Sequence, residues 1–246
     1  MNRGDTRSSK ALRGEQGRDR VNANDHCAVI VFAKAPVPGL VKTRLVPALG
    51  QAGAARLALR MLHETLAHAV QAGMGPIELC CAPDAAHPAL IEAAARAGAL
   101  LTEQGDGDLG QRMQRALARR LACNSRALLV GTDCPALDAA QLRQAARYLE
   151  TRPAVFGPTF DGGYALVGLS APLMARKGAS CRAGPSPGNF ADLFDGIDWS
   201  TPRVMSQTRE RLARLQWDAA ELPVLHDIDE PADLAHVPTT WQDQAD

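Results

Sequence analysis

No apolar run in this sequence approaches the roughly 18 residues that a bilayer-crossing helix needs. The N-terminal stretch "MNRGDTRSSKALRGEQGRDRVNAND" has basic residues but lacks the apolar core of a secretory signal. Net charge is missing as well: 27 Lys and Arg stand against 27 Asp and Glu. No global field therefore points to nucleic acid or an anionic membrane, and affinity for small anions must come from a local cluster. The six cysteines (Cys27, Cys80, Cys81, Cys123, Cys134, Cys181) show no CxxC spacing. Without an export signal, buried reduced thiols and a cytoplasmic location are expected.

Two phosphate signatures are absent too, although the segment "VIVFAKAPVPGLVKTRL" invites them. A Walker A loop reads GxxxxGK[ST], but only Leu40 and Val41 separate Gly39 from Lys42, and Pro36 and Pro38 lack the N–H groups of a phosphate-cradling nest. No GxGxxG fingerprint follows the apolar run. Lys34 stands directly after that run, where a haloacid-dehalogenase-like phosphatase would need an aspartate nucleophile, so that chemistry is set aside.

What is present is a globular composition, 46% hydrophobic and 22% charged, at a length that suits one domain. Residues 1–25 read as a disordered tail or an extension from an early start, 26–238 as a single domain and 239–246 as a C-terminal tail. From Cys27 onward, short apolar runs alternate with helical patterns. "CAVIVFA", "PIELCCA", "ALL" and "RALLVGTD" read as strands. Helices are predicted over 51–71, 88–97, after the glycine-rich "EQGDGDLGQRM" to about Ala122, and over 139–149. That alternation predicts βαβ units and a mostly parallel, doubly wound α/β sheet. In the second half, "AVFGP" and "YALVGL" bracket a glycine turn, "RKGASCRAGPSPGNF" is a long connection, 202–215 is an amphipathic helix, and a strand "LPVLHDID" precedes a helical turn.

Open α/β sheets bind ligands at the carboxyl ends of their strands. The loop after the first strand carries Lys34, Lys42 and Arg44 there. One cation about 4 Å from a phosphate oxygen contributes about 4 kcal/mol at an effective dielectric of 20, so no nest is required. Asp133 ends the strand in "LLVGTDCPAL" on the same rim, while Asp138 is the better cap for the following helix. Cations and a carboxylate converging on one rim have a mediator in Mg²⁺, bridging the carboxylate to phosphates. Asp227 and Asp229 would share a face if they lie on a strand, or Asp229 could cap a helix with Pro231 in its first turn. Arg112 follows the glycines of "QGDGDLGQRM", where a helix start could line a base or ribose pocket or simply be capped by Asp108. His63 and His68 read as solvated or half-buried, His226 as a strand-end histidine that could instead be a ligand, Cys134 as a buried filler, and Trp199 and Trp217 as packing anchors.

"KAPVPGLVKTRL", "GTDCPAL", "GPTFDGGYALVGL" and "LHDIDEPADL", in that order, resemble bacterial glycosyltransferase-A-like proteins of the nucleotide-diphospho-sugar transferase superfamily. Within it they are most similar to 2-phospho-lactate guanylyltransferases and molybdenum-cofactor nucleotidyltransferases. The resemblance implies a three-layer GT-A fold, a Rossmann-like sheet with helices on both faces. It also implies a transferase that uses a nucleotide or nucleotide-sugar with Mg²⁺ (or Mn²⁺) and passes a nucleotidyl or glycosyl group to a small acceptor. Lys34, Gly39, Lys42, Arg44 and Arg112 would then bind the nucleotide. Asp133 would hold the metal with Asp229 or Asp227, and Asp161, Gly162, Gly163 and Tyr164 would flank the acceptor. Lys42, Arg44, Asp133 and Asp161 would serve catalysis. Two departures stand out: "PGLVKTRL" replaces the GxGxR loop of familiar nucleotidyltransferases, and "GTDCP" offers one aspartate rather than DxD. A non-catalytic nucleotide-binding or partner module on the same scaffold is the competing expectation.

Overall fold

The structure is a computed structural model that describes residues 26–171, 190–239 and 241. The expected N-terminal tail and most of the long Gly/Pro/Ser-rich connection, with Cys181, lie outside the described residues. Strands β1 (Cys27–Lys34), β2 (Ile77–Ala82), β3 (Leu100–Glu103), β4 (Arg126–Val130), β5 (Ala154–Pro158), β6 (Tyr164–Ser170) and β7 (Ala220–Glu221) form one sheet in the order β3-β2-β1-β4-β6-β5-β7. All pairings are parallel except those made by β6.

Alternation along β1 shows why this sequence makes a three-layer molecule. Val29, Val31 and Ala33 enter one core, and Ala28 and Ile30 enter the other. A strand apolar at both parities must be covered on both faces. The first core is closed by α1 (Val46–Ala72), α2 (Pro88–Ala97) and α4 (Ala139–Tyr148), through Leu62, Leu66, Leu90, Ala93, Leu142 and Ala145. The second is closed by α3 (Leu109–Leu121), α5 (Ala191–Phe194) and α6 (Val204–Arg214), with Met113, Leu117, Phe194, Leu212 and the anchors Trp199 and Trp217.

Local chemistry sets the helix starts that position the site. Asp108 and Asp138 each close a reciprocal capping box, accepting from Gln111 N and Gln141 N. Helix α1 starts before the predicted 51–71 span, and its first turn is broken at Gly50, whose φ is 68°. The predicted strand over "LPVLHDID" is a correction: only Ala220–Glu221 joins the sheet, and of 222–229 Leu225 alone makes a β-bridge, to Thr159. The rest of that segment crosses the carboxyl ends of the strands, and its Ile228 N donates to Asp133 O at 2.8 Å.

Candidate functional site

The chain turns back on itself between β1 and β4. From β1 it winds outward to β2 and β3, then returns to β4 on β1's other side. Open α/β sheets bind their ligands in the crevice at such a reversal, and the loop after β1 (residues 35–42) and Asp133 after β4 follow the carboxyl ends of the two strands. Gly39 adopts a φ of 79°, and a Cβ there would approach the side chain of Gln51 to 3.3 Å. Lys42 is also left-handed, at φ 48° and ψ 44°, which is strained for a residue with a side chain. The conformation aims its ammonium inward. Lys42 Nζ lies 2.8 Å from Asp133 Oδ1, donates to Ile228 O at 2.5 Å and is 3.6 Å from Asp229 Oδ1. Its side chain is only 5% exposed. Three distant segments are thus tied by one cation.

Arg44, in the 3-10 helix Thr43–Leu45, lies outside this knot with its side chain 64% exposed. It meets Asp229 Oδ2 at 2.9 Å and Glu230 Oε1 at 3.6 Å. Lys34 is exposed at the end of β1 and has no ion pair among the described residues. The capping expectation for Asp229 is corrected: Glu230 is the cap of the 3-10 helix Pro231–His236, and Asp233 Oδ2 accepts from Asp229 N and Glu230 N. The Asp229 carboxylate is left to the cations.

Asp161 stands on the turn between β5 and β6. Thr159 Oγ1 and Gly163 N donate to its Oδ1, at 2.5 and 2.9 Å. Asp227 shares its surroundings. Partial burial first, and then Asp161 with smaller contributions from Asp233 and Asp133, pushes the Asp227 carboxyl up to about 6. The neighbouring Cys134 thiol is buried and pushed up by that burial, then by Asp227 and Asp133, which suits a filler rather than a nucleophile. Arg112 lies in the first turn of α3, which follows β3 in the chain. It donates to Gln104 Oε1 at 3.3 Å, and Gln104 in turn donates to Ala33 O and Cys80 O.

The glycine turn is tied to the second core. Gly162 has φ 89°, its O accepts from Met205 N at 2.8 Å, and a Cβ there would fall 2.2 Å from Pro202 O. Its close approach is to the segment before α6. Gly163 gives Asp161 room, since a Cβ there would lie 3.2 Å from Asp161 Oδ1. Tyr164 packs against the second core, 5.2 Å edge-to-face from Phe156, with its hydroxyl sealed from solvent. Sequence reasoning missed the Ile228 carbonyl, Glu230, and a stack in which Phe160 lies on His226 and His226 on His236. Only the place of Phe160 inside "TFDGG" could have signalled it. A groove of about 590 Å³ between α1 and the C-terminal residues, lined by Leu57, Arg60, Leu234 and Trp241 among others, contains none of the predicted site residues.

Lys42 and Arg44 are met by Asp133, Asp229 and Glu230, and Asp161 and Asp227 add two carboxylates that pair with neither cation. That excess, with Asp227 raised by burial and then by its acidic neighbours, fits a hard divalent cation. Among the described residues no three His, Cys, Asp or Glu are gathered into a cage. The fit is therefore to a cation that takes one or two carboxylates from the chain and its other ligands from phosphate and water, the usual habit of Mg²⁺.

The family model described as "Uncharacterized protein conserved in bacteria (DUF2064)" matches residues 65–201. No curated protein matches the sequence. Among solved structures, a candidate nucleotide-diphospho-sugar transferase from Desulfovibrio desulfuricans G20 is 28% identical, with a TM-score of 0.73 over 90% of both chains. The 4-diphosphocytidyl-2C-methyl-D-erythritol synthase of Anaerococcus prevotii is 9% identical, with a TM-score of 0.55 over 89% of this chain and 99% of its own. A CMP:2-keto-3-deoxy-manno-octonic acid synthetase solved with CTP is 10% identical, with a TM-score of 0.53 over 89% and 99%. The last two speak to the fold alone. The architecture is the nucleotide-diphospho-sugar transferase fold, as the motifs implied.

Proposed function

The chain belongs to the DUF2064 family, conserved in bacteria, and from that premise we propose that it is a divalent-cation-dependent transferase joining a nucleotide or nucleotide-sugar to a small acceptor. The observation that carries this reading is the meeting of Lys42, Asp133 and Asp229 at the reversal of strand order. A fold used by nucleotide transferases here has cations and spare carboxylates at its ligand-binding crevice.

Negative charge grows on phosphate oxygens whether an acceptor attacks the α-phosphorus of a nucleoside triphosphate or the anomeric carbon of a nucleotide-sugar. Catalysis in both cases is mainly positioning and electrostatic stabilisation. Arg44 and Lys34 are exposed and positioned to receive phosphates. Lys42 is held by Asp133, so an incoming phosphate competes with that carboxylate for the same ammonium. As the ammonium turns to phosphate, Asp133 becomes free for a cation. Asp133, with Asp227 or Asp229, would hold Mg²⁺ or Mn²⁺; when bound, the ion polarises phosphate oxygens and offsets charge on the leaving group. Asp161 is oriented by Thr159 and Gly163 to align an acceptor hydroxyl or take its proton. Arg112, bonded to Gln104 beside the ends of β1 and β2, would serve the base or ribose.

The test is thermal stabilisation by a panel of nucleoside triphosphates and nucleotide-sugars with and without Mg²⁺, followed by mass spectrometry of products. Pyrophosphate release identifies nucleotidyl transfer, and nucleoside diphosphate release identifies glycosyl transfer. Nucleotide binding that ignores Mg²⁺ and survives Asp133→Ala would instead establish a non-catalytic nucleotide-binding module.

A further inference from the structure

We propose that the acceptor taken by this site is a neutral, polyhydroxylated ring that lies on the open face of Phe160; the inference rests on the transferase reading above. Phe160 is 64% exposed. A single exposed phenylalanine is unremarkable on a protein surface, but this one is fixed. Its ring stacks on His226 with centroids 4.1 Å apart at 23°, and His226 stacks on His236 at 3.8 Å and 12°. Its backbone is pinned too, with Phe160 N donating to Leu225 O at 3.1 Å beside the Thr159–Leu225 bridge. The pillar draws on three segments: the β5–β6 turn, the crossing segment after β7 and the last 3-10 helix. His226 covers one ring face, and the exposure is on the rest.

The groups around that ring define its guest. Asp161 follows Phe160, and Asp227 follows His226. Ionised carboxylates only accept hydrogen bonds, so a ligand here must bring O–H or N–H donors. An aromatic face is electron-rich and attracts polarised C–H groups. An acceptor carrying carboxylate or phosphate beside Phe160 would meet Asp161, the carboxylate not given to the cation, with like charge. Donors around an edge and C–H on a face describe a sugar- or cyclitol-like ring. A quaternary ammonium would also suit one aromatic face, but transfer requires an acceptor oxygen, which the hydroxylated ring supplies.

Saturation-transfer NMR on the full chain tests this, with methyl α-D-glucopyranoside and myo-inositol as ring probes. Glycerol, lactate and tetramethylammonium are the acyclic, anionic and cationic comparisons. Transfer to the ring probes is expected, reduced about fivefold in Phe160→Ala, the size of one aromatic contact, and restored in Phe160→Tyr. Should the alanine variant fail to fold, Phe160→Leu keeps apolar bulk without the π face. Transfer to none of the ring probes, equal transfer to glycerol or lactate, preference for tetramethylammonium, or indifference to Phe160→Ala would each overturn the assignment. Nucleotide-dependent thermal shifts on the same samples separate the two levels. Nucleotide binding without ring binding defeats this inference alone; ring binding without any nucleotide response defeats the transferase reading.

Discussion

The Asp229 carboxylate reaches the guanidinium of Arg44 at 2.9 Å because Asp233, three residues after the Glu230 cap, takes the backbone donors that open the last 3-10 helix. An ion pair this exposed contributes at most about 1 kcal/mol to folding. Arg44→Ala should therefore leave the melting temperature within about 4 °C of wild type. Nucleotide affinity should fall about tenfold or more, since the loss removes a fork of phosphate donors. Calorimetric titration beside thermal melts checks both, and an unchanged affinity would take Arg44 out of the phosphate site.

Lys42 should behave differently. Its buried ammonium serves Asp133, Ile228 O and Asp229 together, so Lys42→Ala should cost about 1–3 kcal/mol of stability as well as nucleotide binding. Lys42→Gly loses the same ammonium but suits the left-handed backbone. It should recover about 1 kcal/mol relative to the alanine variant. Equal stability of the two variants would show that the φ of 48° is not maintained in solution.

How far the sequence already disclosed this site depends on whether each determinant is local. Near-continuous apolar runs identified β1 and β4, and hence the rim bearing Lys42, Arg44 and Asp133. The Asp108 and Asp138 caps were readable because their partners are three residues away. The Asp227–Asp229 segment was not: it looks like a strand, yet finds only the single Leu225 bridge, and its placement is decided by Ile228 meeting Asp133. The Phe160 stack was invisible for the same reason, since its rings come from three separate segments.

Asp133→Ala should lower turnover by two orders of magnitude or more, about 3 kcal/mol of transition-state stabilisation, as for loss of one preorganised electrostatic contact. The variant also leaves the buried Lys42 ammonium to Ile228 O and Asp229 alone, so a stability loss of about 1–3 kcal/mol is expected as well. Turnover is therefore compared at temperatures where the variant is folded. Product release under saturating Mg²⁺ and nucleotide is the measurement. Wild-type turnover would refute the role given to this carboxylate.

The carboxyl of Asp227 gives a pH dependence with a definite sign. It is pushed up to about 6 in the folded chain from an ordinary 3.8, so between those values the folded state binds more protons than the unfolded state. Its contribution to stability falls as pH rises through that window and stays at its lowest above it. Asp227→Asn cannot ionise, so its melting advantage over wild type should grow from about pH 4 to a maximum above about pH 6. A difference independent of pH would mean that neither burial nor Asp161 raises this carboxyl in the folded chain.

Gly162 joins the acceptor turn to the second core, and its replacement isolates that link. Its φ of 89° is unfavourable for any L side chain, and an added Cβ would fall 2.2 Å from Pro202 O, a backbone atom that cannot swing aside. Gly162→Ala should therefore cost about 1–3 kcal/mol from the dihedral alone, or roughly 2–12 °C in melting temperature for a chain of this size. To relieve the clash, the turn must move away from Pro202, weakening the Met205 N–Gly162 O bond and shifting Asp161 and Phe160 together. On the proposed reading nucleotide binding rests on Lys42, Arg44 and Asp133, and it should persist at temperatures where the variant is folded. Acceptor-dependent turnover should fall more than nucleotide affinity. Loss of both in equal proportion would mean that the turn supports the whole crevice rather than its acceptor side.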